Sequence, residues 1–129
     1  MSELSGKKIK LLAIDDEVDM TRLFKEHFER RNYQVFIAHT AEEGLQTALK
    51  EKPEAVLLDL GLPGHSGIWL LERIKRDEPN MRVIVLSASV NDSVREKLNE
   101  LKCDLILEKD SKTSISDVVG RVENLISTK

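Results

Sequence analysis

Ile9-Lys10-Leu11-Leu12-Ala13-Ile14-Asp15-Asp16-Glu17 is an apolar run that stops abruptly at three carboxylates. From Leu11 to Ile14 it is continuously apolar instead of alternating. A strand covered on both faces, as in a parallel sheet, needs that pattern. Val56-Leu57-Leu58 and Val83-Ile84-Val85-Leu86 repeat it. The apolar runs Ile9 to Ile14, Tyr33 to Ala38, Ala55 to Leu58, Val83 to Leu86 and Leu105 to Leu107 are read as five strands.

Between and after these runs the apolar spacing becomes helical. The stripes are Met20, Leu23, Phe24 and Phe28; Leu45, Ala48 and Leu49; Ile68, Leu71 and Ile74; Val94, Leu98 and Leu101; and Ile115, Val118, Val119, Val122, Leu125 and Ile126. Thr40-x-x-Glu43 and Ser114-x-x-Asp117 are capping-box patterns, and Pro53 and Pro79 follow helices that must stop. Gly44, inside the second helix, costs about 1 kcal/mol relative to Ala, which a packed helix can absorb. Strict strand–helix alternation predicts a doubly wound, three-layer α/β sandwich with right-handed crossovers.

A length of 129 residues suits one domain, expected over 1–129 with its core over about 8–127 and no output domain within it. The first eight residues read as a lead-in and the last few as a fraying end. The 40% apolar residues fall in dense clusters, which argues against disorder. A net charge of −3 gives no electrostatic reason to expect nucleic-acid or anionic-membrane binding. No secretory leader opens the chain and no apolar run approaches membrane-spanning length, so a cytoplasmic protein is expected. The single cysteine, Cys103, reads as a small core residue.

In a doubly wound sheet the reactive crevice lies at the carboxyl ends of the strands. Asp15, Asp16 and Glu17 end the first, Asp59 the third and Ser87 the fourth; the fifth runs into Glu108-Lys109. Closely packed carboxylates repel and partly protonate unless a cation joins them. An oxygen-only donor set suits Mg²⁺, and no Cys/His cluster offers a competing zinc site. With Mg²⁺ on Asp15 and Asp16, the Asp59 carboxylate can act as a nucleophile toward a phosphoryl group, with Lys109 and Ser87 contacting its oxygens. Singly, each residue fits a plainer role: the acid run a helix cap, Asp59 a solvated strand end, Ser87 a turn residue, Lys109 a surface lysine. Their joint placement is the signal.

Over about residues 8–127 the sequence resembles the receiver domain of bacterial two-component response regulators. The matching residues are Asp15-Asp16-Glu17, then Leu57-Leu58-Asp59-Leu60-Gly61-Leu62-Pro63-Gly64-His65-Ser66-Gly67, then Ser87-Ala88 and Lys109. The resemblance implies a flavodoxin-like sheet of order 2-1-3-4-5, with Asp59 as the phosphorylation site. It implies Mg²⁺ held by Asp15, Asp16, Asp59 and the Gly61 carbonyl, and Ser87 and Lys109 on the phosphoryl group. It also implies a sensor histidine kinase or histidine phosphotransfer protein as donor and a downstream protein as target. Such a protein is a signalling phosphoacceptor that assists its own phosphorylation and dephosphorylation, not an enzyme.

Two positions depart from the family pattern. Ile106 stands three residues before Lys109, where the family carries Tyr or Phe. In the family that ring changes rotamer as the hydroxyl residue moves toward the phosphate; Ile is restricted at χ1 and has no ring to move. Asp110 stands where the family has Pro, so a trans Lys109–Asp110 bond and an altered loop are expected. These departures favour a pseudo-receiver that signals without phosphate; the intact acid set, Ser87 and Lys109 oppose it. An aspartyl-phosphate hydrolase would want a carboxylate where Gly61 stands, and a flavin carrier's phosphate would be repelled by Asp15-Asp16-Glu17. Trp69 is read as lying at the core edge or in a partner contact and as a reporter of the site. His65 is read as a loop residue, and His27 and His39 as surface residues.

Overall fold

The computed structural model describes residues 8–62, 64–88, 90–110 and 113–127. Pro63, part of the family pattern, lies outside them, as do residues 1–7 of the expected lead-in and the last two residues of the expected fraying end. The order of elements is β1 (Ile9–Ile14), α1 (Val18–Glu29), β2 (Tyr33–Ala38), α2 (Ala41–Glu51), β3 (Ala55–Leu58), α3 (Gly67–Asp77), β4 (Arg82–Ser87), α4 (Asp92–Glu100), β5 (Leu105–Glu108) and α5 (Ile115–Ser127). β4 and β5 reach past the apolar runs to Arg82, Ser87 and Glu108, polar residues that hydropathy does not mark as strand.

All strand pairs are parallel and the order is β2-β1-β3-β4-β5. The chain thus winds outward from β1 in both directions, in a flavodoxin-like sandwich. Successive strand residues face opposite sides of a sheet, and here both sides are covered. Leu11, Ala13, Leu57, Ile84 and Leu86 pack with Phe24 and Phe28 of α1 and Val118, Val119 and Val122 of α5. Leu12, Ile14, Val56, Leu58, Val83 and Val85 pack with Ala48 of α2, Leu70, Leu71 and Ile74 of α3 and Leu98 of α4. This explains why the strand segments are continuously apolar.

The helix starts follow the sequence signals, with one difference. Thr40 Oγ1 accepts from the Glu43 N–H at 3.1 Å, but Glu43 Oε1 accepts from the N–H of His39, at 2.7 Å. Ser114 Oγ accepts from the Asp117 N–H at 3.0 Å. Ser66 and Asn91 cap α3 and α4, bonding the Trp69 and Val94 N–H groups. In α1, Leu23 is 39% exposed and Thr21 is 1% exposed, so the inward position the apolar pattern gives to Leu23 belongs to a hydroxyl residue. At Gly44 a Cβ would come within 2.7 Å of Ile14 Cδ1, so its absence lets α2 sit against β1. Cys103 is half-buried, its Sγ donating to Leu105 O at 3.2 Å, and burial pushes its thiol pKa up. Among the described residues no helix is long and apolar enough to cross a membrane.

Candidate phosphoacceptor site

Strand register brings the acidic side chains together. Ile14 pairs with Leu58, so Asp15 and Asp59, one residue further on, emerge side by side. The Asp59 N–H donates to Ile14 O at 3.0 Å and the Asp15 N–H to Ala38 O at 3.1 Å, fixing both at the sheet's edge. Ser87 pairs with Glu108, and Ser87 O accepts from the Lys109 N–H at 2.8 Å. Ser87, 7% exposed, therefore ends β4 immediately beside the lysine.

Lys109 Nζ lies 3.0 Å from Asp15 Oδ2, 3.7 Å from Asp59 Oδ2 and 3.8 Å from Glu17 Oε1. One carboxylate oxygen each from Asp15, Asp16 and Asp59 lies within 4.8 Å of the others. Asp15 is 2% exposed; its Oδ1 accepts from the Glu17 N–H at 3.0 Å and its Oδ2 takes the lysine. Asp59 Oδ1 accepts from the Gly61 N–H at 3.4 Å, which folds the acceptor loop back over the carboxylate. A Cβ on Gly67 would lie 2.7 Å from Leu60 Cα and 2.9 Å from Asp59 O, so the base of this loop rests directly on the first residue of α3.

Burial, then the charge of Asp15, raise the Asp59 pKa; Lys109 and the Gly61 N–H offset this in part, and Asp16 adds to it. Burial alone would lower the Lys109 pKa, but the hydrogen bond and charge of Asp15, with Asp59 and Glu17, outweigh it and the net shift is upward. One ammonium thus leaves the three aspartates under-compensated. Their donor set is all oxygen and gathered within a few ångströms, which suits a hard divalent cation. Asp15, Asp16 and Asp59 can hold Mg²⁺.

Around this cluster, several expectations take a definite form. The Lys109–Asp110 bond is trans, since no peptide bond among the described residues is cis. Thr113 Oγ1 lies 3.0 Å from both Glu108 O and Asp110 Oδ1, tying Thr113 to the end of β5; residues 111 and 112 of the loop expected to be altered lie outside the described residues. Ile106 is half-buried and packs on the α2–α3–α4 side of the sheet. It also lines a groove of about 480 Å³ with Leu107, Glu108, Asp117, Val118 and Arg121.

Trp69 packs partly on the core and carries two further contacts. The His65 ring stacks on it, centroids 4.1 Å apart and planes 14° apart, and the Arg73 guanidinium lies 5.3 Å from its centre. His65 Nε2 is also 3.5 Å from Glu42 Oε2 of α2. The loop histidine therefore joins the acceptor loop to two helices. His27 is half-buried on α1, and its Nδ1 lies 2.9 Å from Leu23 O. His39 differs from its surface reading: it follows β2 directly, half-buried, with Nε2 3.1 Å from Thr21 Oγ1. No sequence pattern ties residues 21 and 39, and only the crossover from β1 to β2 brings them together.

The receiver domain of response regulators matches residues 11–119. The chain is 39% identical over 79 residues to sporulation initiation phosphotransferase F of Bacillus subtilis, covering 61% of this chain and 64% of that protein. It is 32% identical over 117 residues to the transcriptional regulatory protein ResD of the same organism, covering 91% of this chain and 48% of that one. The chain thus spans less than two thirds of the length of these curated relatives. A CheY-like response regulator receiver domain protein from Methanospirillum hungatei superposes with a TM-score of 0.88 at 23% identity, covering 94% of this chain and 95% of that one, a likeness of fold. The non-phosphorylated HemR receiver domain of Leptospira biflexa superposes at 0.87 with 25% identity, covering 95% and 97%. With the match running from β1 into α5, this chain belongs to the response regulator receiver domain family.

Proposed function

We propose that the chain is a phosphorylation-dependent switch of a two-component phosphorelay, with Asp59 as the acceptor. The observation that carries this reading is the placing of Lys109 Nζ within 4 Å of both Asp15 and Asp59, beside three clustered carboxylates. Three gathered carboxylates with one ammonium are a poor way to stabilise a sheet edge, because carboxylates so close repel. It is a good way to receive a divalent cation and a phosphoryl group.

Mg²⁺ would be held by Asp15, Asp16, Asp59 and the Gly61 carbonyl, where it supplies charge neutralisation for the incoming phosphoryl oxygens. The chain's own residues do the rest. An Asp59 carboxylate oxygen attacks phosphorus in line, the phosphorus–nitrogen bond of a donor phosphohistidine breaks, and the imidazole nitrogen keeps the electron pair and takes a proton. Lys109 binds one phosphoryl oxygen and Ser87 donates a hydrogen bond to another. Hydrolysis reverses the state: water attacks phosphorus and the Asp59 carboxylate leaves. The chain acts as an acceptor that assists these two steps.

The implied donor is a sensor histidine kinase or a histidine phosphotransfer protein, and output passes by protein contact to a downstream target in the cytoplasm, with no nucleic acid or membrane bound. Ile106 makes the switch atypical, since no ring is present to turn between buried and exposed states. A pseudo-receiver reading, with signalling independent of phosphate, is favoured by Ile106 and Asp110. Incubation with Mg²⁺ and acetyl phosphate, followed by intact-mass measurement, decides between them. One added phosphoryl group, absent from Asp59→Asn and from samples with chelator, supports the switch. A wild-type mass unchanged under all conditions leaves the pseudo-receiver.

A further inference from the structure

His39 lies outside the acid cluster, yet its position bears on that cluster's geometry. Ala38 O accepts the Asp15 N–H at 3.1 Å, which fixes the start of the acidic turn to the end of β2. The next residue, His39, reaches the other end of the turn: its Nε2 is 3.1 Å from Oγ1 of Thr21, in the first turns of α1. Thr21 is 1% exposed, and its Oγ1 is 2.9 Å from Val18 O and 3.5 Å from Glu17 O. A hydroxyl has one proton and two lone pairs. The shorter contact assigns the proton to Val18 O, so His39 Nε2–H donates to the hydroxyl. The backbone that carries the imidazole is itself anchored, because the backbone N–H of His39 donates to Glu43 Oε1 at 2.7 Å and that of Glu43 to Thr40 Oγ1 at 3.1 Å.

We propose that His39 is a positioning residue for the metal- and phosphoryl-binding turn, acting through Thr21 to brace the first turn of α1 so that Asp16 and Glu17 stay beside Asp15. The proposal rests on the reading of Asp15, Asp16 and Asp59 as that site. Two consecutive residues at the end of β2 hold the turn from both sides, Ala38 by its carbonyl and His39 by its ring. Between the two fixings lie Asp16 and Glu17. The turn carries like charges that push apart, so its free geometry is splayed, whereas a cation site needs its oxygens gathered before the ion arrives. Groups that orient metal ligands from behind, without touching the metal, set affinity in this way.

The test uses the full chain, with Mg²⁺ as the probe, by calorimetric titration alongside acetyl phosphate labelling and thermal unfolding in chelator. His39→Ala is expected to weaken Mg²⁺ binding about tenfold, within the range for orienting groups, and to slow labelling. Its unfolding midpoint in chelator should stay near that of wild type. His39→Gln, which offers an amide donor of similar reach, should recover most of the affinity. Thr21→Val should reproduce the loss, and the double variant should be no weaker than either single, because both remove one bond. If His39→Ala does not fold, the Thr21→Val and His39→Gln pair carries the same comparison. Mg²⁺ affinities equal to wild type in the variants, or a loss that tracks thermal stability without rescue by Gln, overturn the brace. A wild-type chain that takes neither Mg²⁺ nor phosphoryl overturns the function itself, whereas a wild type that takes both, with indifferent variants, overturns only the role of His39.

Discussion

Lys109 Nζ is bound to Asp15 Oδ2 at 3.0 Å and stands 3.7 Å from Asp59, so its closest partner is the deeper aspartate. The Asp15 side chain is 3% exposed and the Lys109 side chain 20%. Removing the ammonium would leave a buried carboxylate without its counter-charge, the costly way to break such a pair. Lys109→Ala should therefore destabilise the metal-free protein by about 3 kcal/mol, measured by urea unfolding in chelator. The same variant should bind Mg²⁺ more tightly, since a cation repelled the ion, yet accept phosphoryl about a hundredfold more slowly for want of a donor to its oxygens. Unchanged stability in chelator would show that Asp15 does not depend on the lysine.

Asp59 gives a pH dependence with a definite sign. Burial and the neighbouring Asp15 raise its folded-state pKa above the ordinary 3.8. A raised folded value means that its contribution to stability is intact below 3.8 and is lost as pH climbs through the folded value. At neutral pH, ionised Asp59 thus weakens the metal-free fold. Asp59→Asn should be more stable than wild type at neutral pH in chelator, with the gap closing as pH falls toward 3.8. Saturating Mg²⁺ should reverse the ranking, because the ion binds the carboxylate and not the amide. Thermal unfolding over a pH series checks both; a gap that widens on acidification contradicts the sign.

How much of this was legible in the residues follows from what sets each feature. The sheet was readable because covering on both faces forces continuous apolar runs such as Val83 to Leu86. The meeting of Asp15, Asp59 and Lys109 was readable because strand ends converge in a doubly wound sheet wherever the chain reverses its winding. Thr21 was hidden, because a hydroxyl facing inward breaks the apolar stripe that marks a buried helix face. His39 was hidden for a related reason: its partner lies 18 positions away in sequence, and no local spacing encodes that contact. Gly67 was named only as part of a motif, and its cause, a backbone approach too close for any Cβ, is tertiary.

Trp69 should report on the acceptor loop through His65. The stacked ring is one of the loop's contacts with α3, and Glu42 holds it from α2. When an ion draws the Asp59 side chain, the loop beginning there must adjust, and the stack over the indole changes with it. A Mg²⁺ titration should alter Trp69 emission, and His65→Ala should remove most of that response while leaving Mg²⁺ affinity within about a factor of two, since an exposed His–Glu contact contributes little. Emission that is flat across the titration, in protein shown by calorimetry to bind the ion, would sever the stack from the site.

Gly67→Ala tests whether the acceptor loop's geometry depends on close contact with α3. The added methyl would sit 2.7 Å from Leu60 Cα and 2.9 Å from Asp59 O, and neither is the movable end of a side chain. Relief requires the backbone of residues 59–60 to shift, or α3 to move away from the sheet. Overpacking of this kind costs about 1–3 kcal/mol, more than the helix propensity that Ala gains over Gly. Because the backbone that must move carries the acceptor, phosphorylation should suffer beyond the loss of stability. At a temperature where both proteins are folded, acetyl phosphate labelling of Gly67→Ala should fall at least tenfold, as misplacement of about 1 Å can cost more than that. Labelling at the wild-type rate, with the fold intact, would mean that the loop finds its reactive geometry without help from the helix beneath it.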